Sequence, residues 1–132
     1  MKRRIENVRR WMPVLLMVLV LPAQSLADEE ISIDCAKAMG MVELKYCSGE
    51  AYRLADEDLN SMWKSVTAGL EKNFKRTLIE AQRAWITFRD RNCEAETFHS
   101  QGTTGYMVNY DVCLERMTRH RTEELRTLLE AN

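Results

Sequence analysis

Four cysteines, Cys35, Cys47, Cys93 and Cys113, constrain this chain more than any other feature. All four follow a segment that reads as an export address. Residues 1–10 hold Lys2, Arg3, Arg4, Arg9 and Arg10 against a single acid, Glu6. The apolar run Val14-Leu15-Leu16-Met17-Val18-Leu19-Val20-Leu21 follows, then Pro22 and the small-x-small ending Ser25-Leu26-Ala27. Basic, apolar and small-residue stretches in that order mark a cleavable secretory signal. A membrane span takes about 20 apolar residues, and Pro22, Gln24 and Ser25 end this run sooner. Cys35 follows Asp34 and lies far past the apolar run, so it does not read as a lipid-bearing cysteine. The expected organisation is a signal over residues 1–27 and one domain over 28–132. That domain would be periplasmic or secreted, with no stable membrane anchor after cleavage.

An even number of cysteines in an oxidising compartment reads as two disulfides, with three possible connectivities. The sequence has no Cys-x-x-Cys spacing, and His99 and His120 sit at no ligand spacing. Zinc is therefore disfavoured, and no metal or cofactor is expected. Without residues 1–27 the chain has 14 basic and 19 acidic side chains, a net charge of −5. A nucleic-acid binder needs a basic stripe that displaces counterions, so that class is excluded. An acidic body suits a soluble partner of neutral or basic character.

Hydrophobic spacing gives helices throughout the exported part. From Glu50 to Lys72, the residues Tyr52, Ala55, Leu59, Met62, Trp63, Val66 and Leu70 recur at threes and fours. Lys75 to Phe98 repeats this with Leu78, Ala81, Trp85 and Phe88, widened by Ile79 and Ile86. Tyr106 to Leu129 does so through Tyr110, Cys113, Leu114, Met117, Leu125, Leu128 and Leu129. A short helix over Val42 to Cys47, ended by Gly49, completes the set. The fold class is all-α: a disulfide-stapled bundle of three long helices and one short N-terminal helix. Cys93 ends one long helix and Cys113 begins the next, so an antiparallel hairpin brings them together. Cys35–Cys47 then ties the N-terminal strap to the short helix.

No nucleophile elbow, zinc-protease helix or phosphate-cradling glycine loop occurs, and paired cysteines supply no nucleophile. A non-enzyme is expected. Gln82, Trp85 and Arg89 share one helix face at i, i+3 and i+7. Trp is usually largely buried and Arg forks suit interior carboxylates. The expectation is therefore structural: Trp85 in the core, with Gln82 and Arg89 paired to an acid such as Glu43 or Asp56 or satisfying buried helix ends. Arg121 should make a similar internal pair, and Asn60 should bond a neighbouring backbone group. The candidate recognition surface is the loop carrying His99, Ser100, Gln101, Thr103, Thr104 and Tyr106, polar and rich in glycine, held at both ends by the hairpin disulfide.

Four segments resemble the lysozyme-inhibitor LprI-like N-terminal family of small exported bacterial proteins. They are Cys35-Ala36-Lys37-Ala38 with Glu43 and Cys47, and Ala55-Asp56 through Leu59-Asn60 with Trp63 where that family has Tyr. Ala81-Gln82-Arg83-Ala84-Trp85-Ile86-Thr87-Phe88-Arg89-Asp90 with Cys93 is the most specific. The last runs from Gly102 to Cys113, then Thr118, Arg121 and Glu124-Leu125. Gly40-Met41 departs from the family's Thr-Pro-like helix start. The resemblance implies a helical, disulfide-bonded envelope domain with Glu43, Asp56, Asn60, Gln82, Trp85, Arg89, Asp90 and Arg121 as its structural motif. It also implies a lysozyme-like partner that the protein binds and blocks sterically. The alternative is an envelope or exported interaction module, of a virulence or stress kind, without lysozyme inhibition.

Overall fold

The structure, a computed structural model, describes residues 33–131. The expected signal over 1–27 lies outside the described residues. Three long helices, α1 (Met41–Thr67), α2 (Lys72–Glu96) and α3 (Tyr106–Glu130), and a 3-10 turn at Phe98–Ser100 make up the regular structure. The fold is all-α, with no strand among the described residues. Contacts set the topology as up, down, up. Ser48 meets Asp111 and Asp58 meets Arg119, so α1 and α3 run parallel. Gln82 meets Arg121 and Cys93 meets Cys113, so α2 runs against α3.

The first helix corrects one expectation. Val42 to Cys47 is helical, but the helix continues through Gly49 to Thr67 with no break. A glycine stops a helix by taking a left-handed conformation, and Gly49 keeps φ negative. An interior glycine costs about 0.5–1 kcal/mol relative to alanine. That is less than one continuous buried stripe of Ser48, Ala55, Leu59 and Val66 returns. The true stop lies near Gly69, whose φ of +76° turns the chain toward α2. At the other end Glu43 reaches back, its Oε2 accepting from the N–H of Gly40 at 2.9 Å and of Met39 at 3.2 Å. This is half of a capping box, and the two N–H donors hold the Glu43 carboxyl below its ordinary pKa. Glu71 caps α2 by accepting from the N–H of Asn73 and Phe74.

Small buried residues let α1 and α3 run close together: Ser48 and Ala55 on one, Thr118 and Thr122 on the other. The α1 and α2 backbones stay farther apart. One core cluster joins Leu59, Val66, Leu78 and Leu125, flanked by Met62, Trp63 and Trp85. A second surrounds Cys93, Cys113 and Leu114, flanked by Tyr52, Tyr110 and Met117. Each large aliphatic side chain so buried contributes about 2 kcal/mol.

Helix α2 corrects a second expectation. Its buried line is Leu78, Gln82, Arg89 and Cys93, whereas Ala81 is exposed and Phe88 is 58% exposed. The apolar stripe read from the sequence is rotated outward by one position, because α2 turns Gln82 and Arg89, each hydrogen-bonded to α3, inward. Both disulfides form, Cys35–Cys47 and Cys93–Cys113, each with Cα atoms 5.6 Å apart. The first ties the strap before α1 to its second turn. The second clamps α2 to α3 beneath their connecting loop.

Candidate functional site

The α2–α3 connection is a succession of tight turns. Thr97, buried, donates its hydroxyl to the Cys93 carbonyl at 2.7 Å. Ser100 donates N–H and Oγ–H to the Thr97 carbonyl at 2.9 and 2.8 Å. Thr103 does the same to the Ser100 carbonyl at 3.1 and 2.7 Å, and the Tyr106 N–H reaches the Thr103 carbonyl at 3.3 Å. Gly102 makes the reversal at φ +77°, a region that costs other residues backbone strain. The hydroxyls of Ser100 and Thr103 are thus spent on the loop itself. This order comes from threonine and serine turn chemistry, above a disulfide with both sulfurs buried.

His99, Gln101, Thr103 and Thr104 are exposed on this loop, and Ser100 and Tyr106 are half-buried. Tyr106 stacks on Tyr110 with ring centres 5.9 Å apart. Phe98 is 60% exposed, with its ring edge-on to His99 at 5.6 Å. The sequence reading assigned Phe98 to the end of a helix and so missed it as a surface residue. Helix α2 stops at Glu96, and the 3-10 turn carries Phe98 outward. Loop and disulfide together present an aromatic ring, an imidazole and a side-chain amide on a fixed base.

A second constellation fills the bundle interior. The Arg89 guanidinium lies 5.3 Å from the Trp85 ring centre and 5.5 Å from that of Tyr52. It donates to Asp90 at 2.9 and 2.8 Å and to Thr118 Oγ1 at 3.3 Å. Asp56 stands farther off, at 4.0 Å. Arg121 covers the Trp85 ring at 5.7 Å, donates through Nε to Gln82 Oε1 at 2.9 Å and pairs with Glu124. Burial pushes the Tyr52 hydroxyl above its ordinary pKa, against the pull of Arg89.

Glu43 takes no part in this network, because capping α1 occupies its carboxylate. Asn60 donates to Asp56 Oδ2 at 2.8 Å, one turn back, and not to a backbone group. Every buried side-chain nitrogen and oxygen among the described residues has a hydrogen-bond partner. All four cysteines are in disulfides. No helix among the described residues is long and apolar enough to cross a membrane. The geometry suits recognition by a surface held in place.

The family described as lysozyme inhibitor LprI matches residues 34–125. An uncharacterised protein of Rhizobium meliloti (strain 1021) is 33% identical over 130 aligned residues, covering 89% of this chain and 91% of that one. No solved structure matches. With the matched region running from the N-terminal strap almost to the end of α3, the chain belongs to the LprI lysozyme-inhibitor family.

Proposed function

We propose that this is an exported protein, periplasmic or secreted, that binds a lysozyme-like muramidase and blocks it by occupying its cleft. Family membership over residues 34–125 is the observation that carries the reading. Disulfides and an acidic exported part support it. A net charge of −5 over residues 28–132 draws in a basic muramidase, raising the association rate more than the affinity. The contact surface in this reading is the loop of His99, Ser100, Gln101, Thr103, Thr104 and Tyr106, with Phe98 beside it. An exposed aromatic next to polar groups on a rigid base is the composition that anchors protein interfaces. The work is done by binding, with no catalytic group of the protein's own.

A turbidity assay of a muramidase on cell walls tests this with the oxidised protein. Stoichiometric protein should slow clearing, and added salt should weaken the effect as charge is screened. Replacing Gly102–Tyr106 with a neutral linker should relieve inhibition; unchanged inhibition would place the contact elsewhere. No slowing at stoichiometric excess would favour the envelope interaction module.

A further inference from the structure

The α1–α2 side of the bundle, where the backbones stand apart, carries an open groove of about 310 Å³. Asp56, Asn60 and Trp63 line it from α1, and Gln82, Arg83 and Ile86 from α2. Its polar groups are unequally occupied. Every other described arginine donates its guanidinium to a carboxylate or a side-chain amide. The Arg83 guanidinium makes no hydrogen bond or ion pair among the described residues, and Arg83 is exposed at the groove wall. Gln82 is the second observation. It is more than nine-tenths buried and its Oε1 is held by Arg121, but its amide nitrogen donates to nothing among the described residues. No atom of it is both fully buried and unsatisfied, so that nitrogen keeps some exposure, and Gln82 lines the groove.

The spare donors among the described residues are a planar guanidinium and, one residue before it, an amide N–H pair. Asp56, on the opposite wall, accepts from Asn60 at 2.8 Å and faces the Arg89 guanidinium at 4.0 Å. A guanidinium matches a carboxylate as two parallel charge-assisted bonds. Beside these donors, Trp63 and Ile86 offer an apolar shelf, with Ile86 40% exposed. We propose that this groove binds a peptide carboxylate flanked by an aliphatic side chain. The carboxylate is taken by Arg83 and Gln82, and the aliphatic group rests on Trp63 and Ile86. Arg89 also lines the groove but is paired with Asp90, and the one spare cation with one amide suits a single negative charge with two oxygens better than a phosphate, which calls for more positive charge. The size is that of a small ligand pocket, enough for a short peptide segment. The proposal needs no muramidase, so it stands or falls separately from the function above.

The test is an NMR titration of the isotope-labelled, oxidised protein with three probes. They are N-acetyl-Ile-Glu-amide, N-acetyl-Ile-Gly with a free chain-end carboxylate, and the uncharged N-acetyl-Ile-Gln-amide. At least one acidic probe should move the Gln82 side-chain amide, Arg83 Nε–H and Trp63 indole N–H signals saturably. The uncharged probe should bind about tenfold more weakly, the loss expected for one charge-assisted pair. Tighter binding of the Glu probe assigns the site to a side-chain carboxylate, and tighter binding of the Gly probe to a chain end. Arg83→Gln should weaken the acidic probe about tenfold, while Arg76→Gln on the same helix should leave it unchanged. Both replaced residues are exposed, and an unchanged amide spectrum elsewhere shows that each variant is folded. Equal binding of charged and uncharged probes, unaltered affinity in Arg83→Gln, or no saturable shift at these three residues would overturn the proposal.

Discussion

Arg89 and Thr118 meet across the α2–α3 interface, Nη1 donating to Oγ1 at 3.3 Å, with both residues more than nine-tenths buried. The same guanidinium is neutralised by Asp90 at 2.8 Å and faced by the rings of Tyr52 and Trp85. A cation can stay inside a small protein only on such terms, because removing water from it costs several kcal/mol.

Arg89→Ala should lower stability by about 3 kcal/mol, through lost pairing, lost ring contacts and a cavity. Arg89→Lys should recover only part of it, since an ammonium lacks the planar fork. Thr118→Val should cost about 1–2 kcal/mol by leaving a buried N–H without its acceptor. Urea denaturation midpoints measure all three. A loss below about 1 kcal/mol in Arg89→Ala would show that the network holds the bundle less than its contacts indicate.

Gly49→Ala should stabilise the protein by about 0.5–1 kcal/mol. Gly49 lies inside α1 with helical backbone, and an added Cβ would meet Asp111 Oδ2 at 3.7 Å, an ordinary contact. Thermal unfolding should show a raised midpoint.

The two disulfides should reduce in order. Cys35 is exposed, whereas Cys93 and Cys113 are 0% and 1% exposed. Limited reductant with alkylation and mass spectrometry should label Cys35 and Cys47 first. Replacing Cys93 and Cys113 with Ala should cost about 3 kcal/mol and loosen the loop they close.

Two carboxylates should respond to pH in opposite directions. Burial raises the Asp111 pKa, outweighing its Ser48 hydrogen bond and the nearby Lys45. The folded state then holds that proton to higher pH than the unfolded chain does. Its ionisation costs stability as pH rises past the usual Asp range, and the cost is absent below that range. Asp111→Asn should thus be more stable than the natural protein at neutral pH, with the gain vanishing in acid. The Glu43 pKa is lowered by the N–H groups of Gly40 and Met39. Its contribution is present above the usual Glu range and fades as pH falls through the lowered value. Glu43→Gln should be less stable at neutral pH, and the deficit should shrink in acid. Denaturation at a series of pH values separates the two.

The sequence by itself determined the all-α class and the hairpin, but not that α1 runs unbroken through Gly49. Leu59 and Val66 on α1, Leu78 on α2, and Leu114 and Leu125 on α3 recur at helical spacing, and a helical period survives whatever the helix packs against. Cys93 and Cys113 flank a short loop, so antiparallel helices bring them together wherever the third helix lies. The position of the loop carrying His99 to Tyr106 followed from the same spacing, but its order did not, since that rests on turns between side chains and carbonyls. Only the tertiary structure decided which face of α2 points inward. Hydrophobicity placed Phe88 in the core and left Arg89 to find a partner, yet Phe88 is exposed and Arg89 is buried. Two rings, one carboxylate and one threonine from three helices make that burial affordable, and no single-helix pattern contains them. The guanidinium of Arg83, unpaired among the described residues, belongs to the same class of fact. Whether a charge is spent or spare depends on what the other helices bring to it.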